Sequence, residues 1–142
     1  MQYDPIVWGP HFWFFIHTLA NTYPEYPNAI TKRKYYDVIQ NMPLFIPIPE
    51  MGNKFAELLD KYPVSPYLDK KDSFIRWTIF IHNKLNKLLG KEELTFVEAC
   101  EKYASEYKIQ TIHLAEKLRI KRHHLYFILI LLCIGLIYLC ST

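Results

Sequence analysis

The sequence predicts an all-α protein, a small bundle of four or five helices followed by a C-terminal membrane helix. Apolar residues recur at helical intervals along most of the 142 residues, and prolines and glycines divide them into stretches of helical length. No segment alternates apolar and polar residues with the period of two that marks a strand. An uncharged apolar run occupies residues 125–140. A chain of this length predicts one small domain with, at most, an appendage.

Two helices are predicted in the first third of the chain. Prolines on both sides bound the first, which we place at residues 11–22. Asn28 is suited to cap a second helix at residues 29–42, because its side chain can accept a hydrogen bond from a first-turn N–H. The apolar stripe of this second helix has the spacing i, i+3, i+4, i+7 and comprises Tyr35, Val38, Ile39 and Met42.

Three further helices are predicted from their end signals. Pro49 suits the first turn of a third helix, ending near residue 61, because the donor that proline lacks has no helical partner there. A fourth helix is expected at about 73–89, closed by Gly90, a common residue just past a helix end. Thr95 and Glu98 have the spacing of a capping box and predict the start of a fifth helix. Nothing interrupts that helix before the apolar run, so we expect it to continue there.

The apolar run at residues 125–140 is a candidate membrane anchor. Its 16 residues fall short of the roughly 20 that cross a bilayer, but the flanking residues 123–124 and 141–142 extend it to a sufficient span. The alternative, a buried core helix, would need protein on every side, which so small a domain does not supply. A basic stretch precedes the run, as on the cytoplasmic side of a membrane, and comprises Lys117, Arg119, Lys121 and Arg122.

We therefore expect three regions: a helical domain at 1–108, a basic helical linker at 109–122 and a transmembrane anchor at 123–142. Residues 1–8 include Asp4 and no apolar run, so no signal peptide is expected. The bulk of the chain should then face the cytosol, as in a single-pass membrane protein anchored by its C-terminal tail.

The charge is too small and too scattered to indicate nucleic-acid binding. The formal net charge is +3, and only four of the 17 basic residues are arginines, the residue that base and phosphate recognition usually favours. The three cysteines, Cys100, Cys133 and Cys140, form neither a C-x-x-C pair nor a metal-ligand cluster. We expect no nucleic-acid partner, no metal site and no intramolecular disulfide framework.

Two groups of residues stand at regular intervals on the predicted first and fourth helices. Trp13 and His17 are four residues apart, as are His82 and Asn86, so each pair shares a helix face. Taken singly, each residue is better explained as a core aromatic or as a satisfied core or surface histidine. The complete groups are Trp8-Gly9, Trp13, His17, Tyr23-Pro24 and Pro27, and His82-Asn83, Asn86 and Leu89-Gly90-Lys91. Together they resemble the two FAD-holding helices of the Erv/ALR family of FAD-linked sulfhydryl oxidases.

This resemblance covers about residues 8–91 and implies a helical bundle, commonly a homodimer, that binds FAD. Gly9 would let a ligand approach the backbone closely, and Lys91 would neutralise a pyrophosphate. Trp77 also matches the family pattern, although its helical phase differs from that of His82. By position, the resemblance implies further flavin neighbours at Trp13, His17, Tyr23, His82, Asn83 and Asn86.

The redox-active Cys-x-x-Cys of the family is absent. In the family this pair lies at the start of a helix between the two motifs, where the helix dipole lowers a thiol pKa. Here the matching stretch reads Ile48-Pro49-Glu50-Met51, and no cysteine precedes Cys100, so no shift in alignment restores the pair. The resemblance therefore leaves no intact catalytic residue, because Ile48 and Met51 occupy the dithiol positions.

The remaining cysteines do not replace the lost pair. Cys100 alone could form only a mixed or intermolecular disulfide, and is otherwise an ordinary helix cysteine. Cys133 and Cys140 are seven residues apart on one stripe of the tail helix. Apolar packing, lipidation and a disulfide between tails are all open for these two.

Two functions remain open. The first is a membrane-anchored FAD protein of the sulfhydryl oxidase type, impaired in catalysis, with a thiol-bearing protein as partner. The second is a structural or assembly protein of a membrane or virion that keeps the same bundle, with flavin optional. The lysine-, isoleucine-, asparagine- and tyrosine-rich composition and the tail resemble thiol oxidases of large cytoplasmic DNA viruses. That likeness would put the anchor in a virion or in a host membrane of the endoplasmic-reticulum type.

Overall fold

The computed structural model describes residues 3–141, apart from the side chains of 109–113, 135 and 137–141. The described residues form five α-helices and two short 3₁₀ helices, and no strand lies among them, which confirms the predicted all-α class. The chain divides into two compact units, Met1–Cys100 and Glu101–Thr142; the region boundaries expected after residues 108 and 122 stay predictions. The α-helices are α1 (Pro5–Asn21), α2 (Ala29–Asn41), α3 (Pro49–Lys61), α4 (Lys71–Leu88) and α5 (Phe96–Ser141).

Helix α1 begins six residues earlier than expected, so the predicted start near His11 is wrong. Asp4 caps the helix by accepting a hydrogen bond from the Ile6 backbone N–H at 2.8 Å, and Pro5 occupies the first helical position. Pro10 lies inside the helix, where its ring removes one backbone hydrogen bond. The capped first turn and the packing of α1 against α4 offset that loss.

The predicted starts of α2, α3 and α5 are confirmed. The Asn28 side chain accepts from the Thr31 N–H at 2.8 Å, and Pro49 is the first residue of α3. At the start of α5 the Glu98 carboxylate accepts from the Thr95 backbone N–H at 2.8 Å. The Asn28 and Glu98 side chains each satisfy a donor that the helix itself leaves without a partner, whereas Pro49 has no N–H to satisfy.

The core of the unit Met1–Cys100 lies where α4 packs against α1 and α3. Helix α3 also approaches the 3₁₀ helix Met42–Phe45 closely, because a Cβ at Gly52 would lie only 2.7 Å from the Pro43 carbonyl oxygen. The absence of a side chain at Gly52 therefore sets how near these two elements come. The most deeply buried side chains of the core include Ile16, Tyr23, Ile39, Phe55, Leu59, Phe74, Trp77 and Ile81.

The expected membrane-spanning helix is not found. Within the described part of the chain, no helix contains a stretch long and apolar enough to cross a membrane. The uninterrupted apolar stretch with described side chains, residues 125–134, is shorter than the roughly 20 residues that a span requires. The side chains of residues 135 and 137–141, and residue 142 as a whole, belong to the predicted anchor and lie outside the described part of the chain.

Candidate functional site

A histidine–tryptophan cluster joins α1 to α4. The rings of Trp13 and His82 are stacked, with centroids 3.9 Å apart and planes inclined by 7°. His17 lies one turn after Trp13, and its Nε2 is 3.0 Å from Nδ1 of His82. All three side chains are half-buried. The structure thus brings His82 into contact with Trp13 and His17, which precede it in the sequence by 65 or more positions.

The hydrogen bond between the two imidazoles constrains their protonation. One of the two nitrogens must carry the proton and the other must accept it. Burial lowers the pKa of His17 from 6.5 to about 4, since desolvation disfavours the charged ring. His17 is therefore neutral at physiological pH. Its ring contributes hydrogen-bonding nitrogens to the cluster but no positive charge.

Helix α3 reaches this cluster through Phe55. The Phe55 ring meets Trp13 edge to face, with centroids 5.8 Å apart, a favourable aromatic geometry. Met51 lies one helical turn before Phe55 and packs against the core. Ile48 is the N-cap residue of α3, and its carbonyl accepts from the N–H groups of Met51 and Gly52 at 3.0 Å each. Ile48 and Met51 thus lie at the start of α3, and their assignment to the dithiol positions stays a prediction.

The surface of α1 around Gly9 is open. Gly9 lies one turn before Trp13 on the same helix face, and a Cβ added to it would meet no atom within 4 Å. Trp8 has a buried indole Nε1 that lacks a hydrogen-bond partner among the described residues. A buried donor without an acceptor is costly, and a bound ligand that supplied an acceptor would remove that cost. These two observations fit a polar ligand bound beside the first half of α1.

Tyr23 and Trp77 are placed elsewhere, in the hydrophobic core. Each is 1% exposed, and each donates to a backbone carbonyl: the Tyr23 hydroxyl to Leu68 at 2.8 Å, and the Trp77 indole to Tyr62 at 3.1 Å. Burial raises the pKa of Tyr23, as expected for a neutral buried hydroxyl. The structure does not bring these two residues into the histidine–tryptophan cluster, and their predicted contact with flavin stays a prediction.

Three other predicted residues lie at the C-terminal end of α4. Asn86 and Asn83 are half-buried and Lys91 is exposed. The Asn86 carbonyl accepts from the Lys91 backbone N–H at 2.8 Å. The Asn83 side chain bonds to the backbone of Leu94, through its Nδ2 at 2.7 Å and its Oδ1 at 3.1 Å. Asn83 therefore shapes the segment after α4, a role that its position in the sequence did not suggest.

Sequence reasoning also missed the part played by Phe55 and Trp8. Phe55 fits the buried stripe of α3, so its pattern in the sequence is that of an ordinary core residue. Trp8 belongs to the first motif, but its unsatisfied indole nitrogen emerges only when the helices pack. Neither role has a signal in local residue spacing.

The described residues hold no group of three or more His, Cys, Asp or Glu side chains that could bind a metal ion. Cys100 is half-buried and Cys133 is exposed, and both are free thiols. The side chain of Cys140 lies outside the described residues. The structure thus brings no second cysteine to Cys100 within its described part.

These features define a small all-helical domain with an aromatic and imidazole site between its first and fourth helices. The sequence profile of the Erv1 / Alr family matches residues 10–108. Because this match spans well over half of the chain, the protein belongs to the Erv1 / Alr family.

Known relatives agree with this assignment. A probable FAD-linked sulfhydryl oxidase of Acanthamoeba polyphaga mimivirus is 34% identical over 99 residues, which are 69% of this chain and 69% of that protein. The FAD-linked sulfhydryl oxidase ERV1 of Arabidopsis thaliana is 32% identical over 79 residues, which are 56% of this chain but only 40% of the plant protein. The yeast Erv1 core, known from a crystal structure, is 22% identical with a TM-score of 0.62, over 68% of this chain and 80% of that one. At that identity the crystal structure establishes the shared fold alone.

Proposed function

We propose that this protein is an FAD-binding member of the sulfhydryl oxidase family whose own thiol oxidation is impaired. The observation that carries the proposal is the joining of Trp13, His17 and His82 between α1 and α4. Ile48 and Met51 stand where the family resemblance expects the dithiol, and this supports the impairment. The relatives named as FAD-linked sulfhydryl oxidases support FAD as the ligand. Bound FAD would supply the two-electron redox chemistry that takes electrons from thiols to an acceptor such as oxygen.

The residues of the cluster can bind and orient such a ligand. Trp13 and His82 cover each other's faces at 3.9 Å, so together they form one wall of a site rather than the two walls of a slot. Gly9 leaves the adjacent surface of α1 open, and Trp8 offers its unsatisfied indole donor. At the other end of α4, the exposed Lys91 would be available to the diphosphate.

The impairment follows from the chemistry of the two dithiol positions. Disulfide exchange begins with a thiolate, which neither an isoleucine nor a methionine side chain can form. Met51 packs against the core instead, a common use of its flexible thioether. A thiol-bearing partner protein would have to supply the reducing dithiol from outside this chain.

We also propose that the tail attaches the protein to a membrane. The described apolar side chains at residues 125–134 are exposed along α5, and the basic stretch 117–122 precedes them, a combination that favours an anionic lipid surface. The bulk of the chain would then lie on the cytosolic side of a virion or host membrane. Deleting residues 123–142 should release the protein into the soluble fraction. A truncated, folded protein that still sediments with membranes would contradict this attachment.

A structural or assembly role is the second candidate, and the missing dithiol is the observation that favours it. A homodimer of the bundle, common in the family, would serve this role. Ile6 and Ile30 are apolar side chains more than 70% exposed on α1 and α2, and they offer apolar area for such an association.

The FAD proposal is tested on the purified full chain in detergent. The protein should show the visible absorption of oxidised flavin, or take up added FAD in a titration. His82→Gln, which removes the ring stacked on Trp13, should weaken FAD binding by roughly tenfold or more. His11→Gln changes an exposed histidine of α1 and should leave binding as it was. A well-folded, colourless protein that takes up no FAD would refute the proposal.

A further inference from the structure

One side-chain amide holds the far end of the segment that follows α4. The Asn83 side chain makes two hydrogen bonds to one residue 11 positions away: its Nδ2 donates to the Leu94 carbonyl at 2.7 Å, and its Oδ1 accepts from the Leu94 N–H at 3.1 Å. A side chain that satisfies both polar groups of one residue imitates the pairing of a neighbouring strand. The Asn83 side chain therefore fixes both the position and the orientation of the Leu94 backbone.

The start of the same segment is also anchored to α4. Gly90 has a φ of 67°, and its N–H donates to the Lys87 carbonyl at 3.2 Å. The Lys91 N–H donates to the Asn86 carbonyl at 2.8 Å. This is the Schellman arrangement, in which a left-handed glycine turns the chain and closes the last helical carbonyls. Lys91 therefore lies between two anchors, the helix end behind it and the Asn83 amide ahead.

Charge pairing contributes little to holding this segment. The Lys87–Glu93 pair spans 3.9 Å, and both side chains are exposed to solvent, so the contact stabilises only weakly. Lys91 itself forms no ion pair within the described part of the chain. Its ammonium is thus left available to an anion from solution, on a segment that the Asn83 side chain binds at Leu94.

We propose that Asn83 is a positioning residue rather than a direct ligand contact. Its amide fixes residues 89–94 against α4 and thereby places the ammonium of Lys91 where it can bind the diphosphate of FAD. This inference rests on the proposed function for the identity of the anion. The part of it that concerns the backbone, the attachment of Leu94 to Asn83, is independent of any ligand.

The ligand-independent part is tested by amide hydrogen exchange on the full chain in detergent, without added FAD. Asn83→Ala should speed exchange of the Leu94 amide by roughly tenfold or more, because its acceptor is removed. Asn83→Asp keeps an acceptor for that N–H and should partly restore its protection. Asn53→Ala, at an exposed position on α3, is the matched control and should leave the segment unchanged. Unchanged exchange in Asn83→Ala would overturn the proposal.

The positioning role is tested by FAD titrations of a double-mutant cycle, comparing Asn83→Ala, Lys91→Ala and the double variant. If Asn83 acts through Lys91, each single change should weaken binding by roughly tenfold, and the double variant should lose far less than the product of the two. Losses that multiply would show that Asn83 contacts the ligand itself, against the proposal. If the unaltered protein takes up no FAD, the proposed function fails, and the exchange experiment alone then decides whether Asn83 holds the segment.

Discussion

The imidazole of His82 lies flat on the indole of Trp13, 3.9 Å away between ring centroids, and this contact joins the two motifs that the sequence separates by about 60 residues. The same imidazole bonds to His17 at 3.0 Å. His82 is therefore held on one face by an aromatic ring and at one edge by a neutral histidine. A ring held in this way is oriented before any ligand arrives, which lowers the entropic cost of binding.

The stack should also stabilise the fold. Trp13→Ala removes contacts with His82 and with Phe55 and should lower the free energy of unfolding by about 2–4 kcal/mol, since the site is half-buried rather than fully enclosed. Trp13→Phe keeps an aromatic ring and should lose less than half of that. Urea unfolding of the three proteins measures the difference. Equal stability of the alanine variant and the unaltered protein would mean that the stack does not hold α1 to α4.

Stability should fall in mild acid because of His17. Burial lowers the pKa of this histidine from 6.5 to about 4, so below pH 6.5 the unfolded chain takes up a proton that the folded protein refuses until the pH nears 4. The free energy of unfolding should therefore decrease as pH drops through this window, by up to about 3 kcal/mol.

His17→Gln supplies the comparison for this pH dependence. The glutamine does not titrate, so the variant should be less stable at neutral pH but lose less on acidification. Carboxyl groups titrate in both proteins and largely cancel in the difference between the two stability curves, which therefore reports on His17 together with its hydrogen bond to His82. Parallel curves from pH 7 to pH 4 would contradict the buried, neutral state of this residue.

Two glycines should respond in opposite ways to a methyl group. Gly52→Ala would place Cβ at 2.7 Å from the Pro43 carbonyl oxygen, a backbone atom that cannot move aside easily, and should destabilise the protein by about 1–3 kcal/mol. Gly9→Ala meets nothing within 4 Å and should leave stability unchanged or raise it by up to about 1 kcal/mol, because alanine favours helix. The Gly9→Ala variant should, however, bind FAD more weakly. Thermal unfolding of both variants measures the effects on stability, and an FAD titration of Gly9→Ala measures the effect on binding. A Gly52→Ala variant as stable as the unaltered protein would contradict the close approach of α3 to Pro43.

Local signals predicted most helix ends. Asn28, Pro49 and the Thr95–Glu98 pair act within one turn of their own helix, so each can be recognised from neighbouring residues alone. The start of α1 was misplaced because Pro10 reads as a helix breaker, whereas the cap at Asp4 begins the helix before it. A capped first turn and packing against α4 outweigh one missing hydrogen bond, and that balance is not visible locally.

The site was predicted in part. Helical spacing put Trp13 with His17 and His82 with Asn86, but only the resemblance to a family joined the two helices. The Asn83–Leu94 pairing and the burial of Tyr23 and Trp77 depend on side-chain rotamers and on how the helices pack. Those features are decided by contacts between distant residues, so residue spacing carries no record of them.

The measurement that tests the account most directly is the rate of dithiol oxidation by the double variant Ile48→Cys, Met51→Cys. Both this variant and the starting protein should carry Cys100→Ser and be supplied with FAD. The double variant restores a Cys-x-x-Cys at the start of α3, where a helix N-terminus lowers a thiol pKa, and should oxidise dithiols well above the starting protein. If the starting protein oxidises dithiols as fast as the double variant does, thiol oxidation does not require residues 48 and 51, and the account of a retained flavin site with a lost dithiol is wrong.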